Sequence, residues 1–283
     1  VNKELITDPI DFFKNSVDAN NTLYNIFLTN GKIPLSLYSH SGKWDNIYST
    51  KVFTQFAFFG YAQYYLKHIS KFQLNFTPPS NAIYFIDISH LSSFSVREGF
   101  AKYGAIAFFD QNQQPCGIWH CETSQLVLPN DPKYSHVATV FRSSLRMYST
   151  IQHHLFYVHW LLSNGVTVAS EKYLSSNHPI RRLVRPHTVG SAAVNYASII
   201  GLVPFGGVIS RISAFREESW TEVLKLARSN LKYESFKKHF ESSGLSEEMK
   251  EFMPLYKDGF DYFNITEKYV KGFIELIYPD EIN

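Results

Sequence analysis

The spacing of apolar residues changes along the chain, from strand-like runs in the first half to helical periodicity in the second. Residues 82–88 and 105–109 are short runs rich in β-branched and aromatic side chains, and residues 116–121 follow after a polar turn. Such runs between turn residues are typical of strands. From about Ser135 onwards the apolar residues recur every three or four positions, as in amphipathic helices. The pattern therefore predicts a mainly α chain with a small antiparallel β-sheet near residues 82–121.

Several helices can be placed individually by their spacing and end signals. In the helix predicted at residues 147–163, Leu155, Val158 and Leu162 form one apolar stripe. A Phe-Gly-Gly sequence at residues 205–207 interrupts the helical pattern further along the chain. Residues 1–80 are expected to be mainly helical, because Asp8 and Pro9 form a good helix start. The predicted helices cover residues 147–163, 217–227, 246–252 (with Ser246 as the N-cap) and 260–277.

Composition narrows the classes of protein to consider. The 283 residues are 45% hydrophobic and 16% aromatic, which is enough to fill a large core, and we interpret residues 1–283 as one domain. A net charge of +2 does not suggest a nucleic-acid surface. No apolar run is long enough for a bilayer-spanning helix and no signal peptide opens the sequence, so we expect a soluble chain, with a cytoplasmic location favoured. The two cysteines are too few for a disulfide scaffold.

Candidate chemistry is concentrated in residues 154–202, which contain His154, His159, His178 and His187. Histidines at a fixed spacing in an apolar segment have two explanations. They can bind a metal, because a neutral imidazole is a common ligand for iron and similar metals. Alternatively, each one can be buried and hydrogen-bonded to backbone.

His154, His159 and Asn164 follow one another at steps of five residues. On a regular α-helix, residues five apart point about 140° away from each other. They share a face only where the helix is widened into a π-helical turn, a feature that favours functional sites. The spacing therefore predicts a local π-helix at this point if the three side chains act together.

The same stretch resembles the histidine-rich core of the lipoxygenases, whose pattern is His-x4-His-x4-His-x17-His-x8-His. This chain reads His154-x4-His159-x4-Asn164-x13-His178-x8-His187. The motifs around it agree: HWL, which begins at His159, resembles the family's SHWL, and HPIRRLVRPH resembles its HPI-KL--PH. The VNYA segment, which contains Asn195, lies where the family has the motif INALAR. Motifs similar to those of the family extend over residues 82–280.

The resemblance also marks departures from the family at the metal site. In the family the second and third positions of the cluster bind iron; His159 matches the second, but the third is Asn164. The segment after Asn164 is four residues shorter than the family pattern, about one helical turn. The resemblance further implies that this chain lacks the family's N-terminal β-sandwich and its C-terminal iron-ligand region.

Two functions follow from the resemblance. The family catalyses iron-dependent dioxygenation of polyunsaturated fatty acids, and the favoured interpretation is a catalytically incomplete member that retains a scaffold for an acyl chain or another lipid. The alternative is an active non-haem iron oxygenase that uses a slipped His154/His159 pair, or ligands from another segment or subunit. The candidate metal residues are thus His159, Asn164 and His154.

Other residues of the stretch have supporting roles in this interpretation. The resemblance assigns structural roles around the site to His178, His187 and Asn195. Arg181, Arg182 and Arg185 could attract a fatty-acid carboxylate or an anionic membrane surface, although three close arginines are more often a solvated helix face.

Overall fold

The computed structural model describes residues 49–73 and 76–279. The helix start predicted at Asp8 and Pro9 lies outside these residues. Two compact units are formed, one by residues 157–213 and the other by residues 49–156 together with residues 214–279. The prediction of a single domain over residues 1–283 stays a prediction.

The larger unit contains a five-stranded antiparallel sheet with the strands in sequence order. Its central strand is buried at every position, because it has a neighbour on each side and side chains packed on both faces. The prediction of a small antiparallel sheet is confirmed, and short edge strands extend it on both sides. The strands are β1 (Lys67–His68), β2 (Tyr84–Asp87), β3 (Ala105–Phe109), β4 (Pro115–His120) and β5 (Gln125–Val127).

Aromatic side chains fill both faces of this sheet. On one face, the Phe53 ring packs against the rings of Phe109 and Phe141, with centroid distances of 5.7 and 5.5 Å. On the other face, Phe108 packs against Phe72 and Phe76. Consecutive residues of a strand point to opposite faces, so Phe108 and Phe109 belong to different clusters. Burying one such side chain contributes about 1.5–3 kcal/mol to folding.

Helices account for most of the rest of the larger unit. The predicted helices at residues 217–227 and 246–252 are confirmed, and the Ser246 side chain accepts a hydrogen bond from the Met249 N–H as the predicted N-cap. The last helix begins six residues earlier than the predicted Phe260, because Pro254 suits a first helical position. These helices are α1 (Thr50–Phe58), α2 (Tyr134–Tyr148), α7 (Glu217–Ser229), α8 (Phe236–Ser243), α9 (Glu247–Phe252) and α10 (Pro254–Ile277), with 3₁₀ turns at Tyr61–Tyr65, Ile69–Lys71 and Ser89–Ser93.

Glycine permits one close contact against α10. A Cβ atom at Gly259 would lie 2.4 Å from the Phe236 ring, a distance that real contacts do not reach. The helix therefore tolerates a residue with weak helix propensity, because the missing side chain makes room for an aromatic ring of α8.

Residues 157–213 are helical with three short interruptions, at residues 174–178, 189–190 and 203–207. A π-helix, Ser149–Ser163, follows α2 directly and leads into this unit. The predicted break at residues 205–207 is confirmed: Gly206 has a φ of 85°, a conformation that favours glycine. The unit continues with α3 (Asn164–Tyr173), α4 (Pro179–Thr188), α5 (Ser191–Ala197), a second π-helix (Ser198–Leu202) and α6 (Val208–Ile212).

A helix that crosses a bilayer must be both long and apolar. Within residues 49–73 and 76–279, no helix combines the two properties needed to cross a membrane.

Candidate functional site

His154 and His159 lie on the first π-helix, and Asn164 directly follows it; we call these three residues the five-residue ladder. A π-helix is built from backbone hydrogen bonds between residues five apart, which is the step from His154 to His159 and from His159 to Asn164. His154 is exposed, whereas His159 and Asn164 are half-buried, the latter as the first residue of α3. The spacing of the ladder therefore equals the hydrogen-bond step of a π-helix.

His159 is held by Asn195 of α5 through two reciprocal hydrogen bonds. The Asn195 Nδ2 donates to the His159 carbonyl oxygen at 3.0 Å, which turns Oδ1 towards the imidazole. Since Oδ1 can only accept, His159 Nδ1 donates to it at 2.9 Å, and the lone pair of the neutral ring is on Nε2. A metal-binding histidine is commonly oriented in this way by a partner on its other nitrogen.

Asn195 is suited to this role by its burial. Only 2% of its surface is exposed, and a buried amide requires hydrogen-bond partners. The bonds link two elements 36 residues apart in sequence, and they fix both the ring orientation and the tautomer of His159. The sequence offered a signal for Asn195 only through the resemblance, which assigned it a structural role.

The two later histidines of the pattern lie at opposite ends of α4. His178 is its N-cap: Nδ1 accepts a hydrogen bond from the Ile180 N–H at 3.2 Å, and Pro179 is the first helical residue. His187 lies in the last turn and is exposed. The His178–Pro179 step thus begins α4, and the structure does not bring His187 to His159.

The three arginines of α4 differ in their surroundings. Arg181 is half-buried, forms an ion pair with Glu171 of α3, and donates through Nη1 to the Leu174 carbonyl oxygen at 2.9 Å. Arg182 and Arg185 are exposed. Arg181 therefore ties α4 to α3, and the other two are the arginines available to an external anion.

The ligand set for a metal can be tested against these positions. His159, with Nδ1 donating to Asn195, fits the role of a single ligand through Nε2, and the amide oxygen of Asn164 is a weak neutral donor. Among the residues that the structure describes, no group of three or more His, Cys, Asp or Glu side chains is arranged to hold a metal ion. A catalytic metal needs about three protein ligands and an open position. These residues do not fit a complete iron site, and we assign no reaction step to a metal.

A second group of histidines and tyrosines, in the larger unit, was missed by the sequence reasoning. The His153 ring makes edge contacts with the rings of Tyr64, Tyr65 and Tyr148, at centroid distances of 5.0, 5.2 and 5.4 Å. Burial, with a smaller effect from His239, lowers the pKa of His153 to about 4. The tyrosines come from elements far apart in sequence, so no local pattern could reveal the cluster.

A small pocket lies beside this cluster, between the first π-helix and α7. It is lined mainly by apolar side chains, with His90 and Gln152 as polar groups. Burial lowers the pKa of His90, partly opposed by Asp87.

Comparison with known proteins adds the following findings. No protein-family model matches the chain. The Homo sapiens polyunsaturated fatty acid lipoxygenase ALOX15 is 29% identical over 161 residues, which cover 56% of this chain and 24% of that protein. The Mus musculus polyunsaturated fatty acid lipoxygenase ALOX12 is 27% identical over 161 residues, with 55% and 24% covered.

Among solved structures, manganese lipoxygenase of Gaeumannomyces graminis is similar with a TM-score of 0.67 and 17% identity. The similarity covers 81% of this chain and 47% of that one. The matched region amounts to about a quarter of the length of the curated relatives. At this identity the structural likeness shows the fold.

Proposed function

We propose that this chain, which is lipoxygenase-like in sequence and fold, is a catalytically incomplete relative that binds an acyl chain or another lipid on a retained helical scaffold. The observation that carries the proposal is Asn164. It stands at the third position of the five-residue ladder, where the lipoxygenase pattern has a histidine. A neutral amide oxygen is a weaker ligand than imidazole for iron or a similar metal.

The local geometry supports the loss of a ligand while the scaffold is kept. The π-helix and the Asn195 bonds still orient His159, so the surroundings of one ligand position are retained. The names of the curated relatives make a polyunsaturated fatty acid the first ligand to test. In an active relative, the metal would supply an open coordination position for redox chemistry.

The second candidate is an active non-haem metal oxygenase. It would use His154 and His159 as a slipped pair, or receive ligands from another segment or subunit. The observation in its favour is the π-helix, because its backbone bonds have the same five-residue step as these two histidines. Iron is the metal that the resemblance implies, and manganese is named for a structural neighbour.

Elemental analysis and oxygen uptake distinguish the two candidates. Protein purified without chelators should contain far less than one iron or manganese per chain, should bind linoleate in a calorimetric titration, and should consume no oxygen with it. Stoichiometric metal together with linoleate-dependent oxygen uptake would refute the proposal and favour the second candidate. Failure to bind linoleate would refute the retained lipid-binding role.

A substitution tests the role of Asn164 directly. Asn164→His restores the third histidine of the ladder, and we expect it to raise metal content above that of the unchanged protein. Asn177→His is the matched control, because Asn177 is exposed in the loop between α3 and α4. If Asn164→His binds no more metal than the control, the shortening after residue 164 is the stronger obstacle to a metal site.

A further inference from the structure

The stretch from Tyr157 to Ser213 has a strongly one-sided charge. It contains five basic residues and a single acidic residue, Glu171. That carboxylate forms an ion pair with Arg181. Among the described residues, Arg182 and Arg185 have no ion-pair partner. The stretch from Tyr157 to Ser213 therefore carries more positive charge than its own acidic residue neutralises.

The two arginines lie on one stripe of α4 together with Val189. Positions 182, 185 and 189 are separated by three and four residues, which places them on one face of a helix. The Val189 N–H donates to the Arg185 carbonyl oxygen at 3.1 Å, so the helical spacing holds to the end of the stripe. Val189 is 74% exposed. We call these three residues the basic stripe.

The opposite side of α4 is directed into the unit. Ile180, Leu183 and Val184 are half-buried there. The apolar face of α4 thus packs within the unit. This packing does not account for Val189, which is apolar and yet exposed at the end of the basic face. An exposed apolar side chain next to cations is typical of a surface that contacts lipid headgroups.

A second exposed apolar residue lies near the other end of α4. Tyr173, the last residue of α3, is 72% exposed, and the Lys172 ammonium lies 5.3 Å from the centroid of its ring. The Arg181 hydrogen bond to the Leu174 carbonyl oxygen holds this end of α3 close to the start of α4. Tyrosine is enriched where a protein meets the headgroup region of a membrane, because its ring is apolar and its hydroxyl is polar.

We propose that the basic stripe, with Lys172 and Tyr173, docks on the surface of a bilayer that contains anionic phospholipid. The occupant is chosen by charge complementarity: four cations in or beside α3 and α4 face a negatively charged surface, and Arg181 alone among them is neutralised by Glu171. A second copy of this chain would place like charges opposite each other. The inference concerns the surface of residues 157–213 and does not depend on whether His154, His159 and Asn164 bind a metal.

Vesicle sedimentation tests this surface with the full chain. The probes are vesicles of phosphatidylcholine alone and vesicles with about 30% phosphatidylserine, at roughly 0.1 M salt. We expect binding to the anionic vesicles only, and loss of binding at about 1 M salt, where screening is strong. The Arg182→Ala/Arg185→Ala variant should bind about 30-fold more weakly, since each cation near such a surface contributes about fivefold.

Matched variants separate a specific surface from net charge. Lys257→Ala/Lys268→Ala removes two exposed cations from α10, changes the net charge equally, and should bind like the unchanged protein. Val189→Ser should weaken binding without changing the charge. Far-UV circular dichroism checks that each variant is folded.

Four results would overturn the proposal. The first is no binding to anionic vesicles, and the second is equal weakening by the α4 and α10 double variants. The third is a dimer in light scattering that the Arg182→Ala/Arg185→Ala variant loses, because a second copy would then occupy the stripe. Inorganic phosphate that abolishes vesicle binding without a general effect of ionic strength would indicate a free-anion site and would also contradict docking on a bilayer.

Discussion

Asn195→Ala tests the bonds that orient His159. The substitution removes the donor to the His159 carbonyl oxygen and the acceptor for Nδ1, at 3.0 and 2.9 Å. A typical intramolecular hydrogen bond contributes about 0.5–1.5 kcal/mol, so two of them contribute about 1–3 kcal/mol. Because Asn195 is almost fully buried, water replaces these bonds poorly, and we expect the free energy of unfolding to fall by an amount within this range.

Two measurements are needed to assess this substitution. Urea unfolding followed by circular dichroism gives the change in the free energy of unfolding, and nitrogen NMR of the His159 ring reports its tautomer. The Nδ1–H tautomer should dominate in the unchanged protein and lose its preference in the variant. Asn177→Ala, at an exposed loop position, is the control and should change stability by less than about 0.5 kcal/mol. An unchanged tautomer, or an equal effect from the control, would refute the reasoning.

Two further predictions concern the larger unit. Burial, with a smaller contribution from nearby aspartates, raises the pKa of Cys116 and of Cys121 to about 11. Alkylation of these cysteines at pH 8 should therefore be about 100-fold slower in the folded protein than in the urea-unfolded chain, and it should accelerate as the pH rises towards 11. Equal alkylation rates in the folded and unfolded protein would contradict this prediction. Phe141→Ala should destabilise the protein by about 3–5 kcal/mol in urea unfolding, because its ring is fully buried against Phe53. Phe100→Ala, at a residue that is 54% exposed, is the control and should cost less than about 1 kcal/mol.

The elements that sequence periodicity predicted are those whose signals are local. Strands β2 and β3 were predicted from their apolar runs, and the start of α9 from Ser246 as its N-cap. The five-residue ladder indicated the π-helix, because a helix of that kind repeats its own backbone bonds at the same step. In each case the residues that carry the signal are neighbours in the chain.

Other features depended on pairings that no local pattern contains. The edge strands β1 and β5 are only two and three residues long, and they exist as strands because they pair with β2 and β4. Pro254 gave a local signal for the start of α10, but the early turns of this helix also include Gly259, whose place there depends on contact with Phe236. Such elements are stabilised by tertiary contacts rather than by propensity.

The candidate site divides in the same way. The sequence by itself determined the ladder: which residue stands at each step, that the third is Asn164, and that the words around it resemble the lipoxygenases. Only the tertiary structure decided that Asn195 holds His159, that Glu171 neutralises Arg181, and that Arg182 and Arg185 remain exposed. The physical reason is that helical spacing is set by hydrogen bonds a few residues apart, whereas partners across helices are chosen by packing between distant parts of the chain.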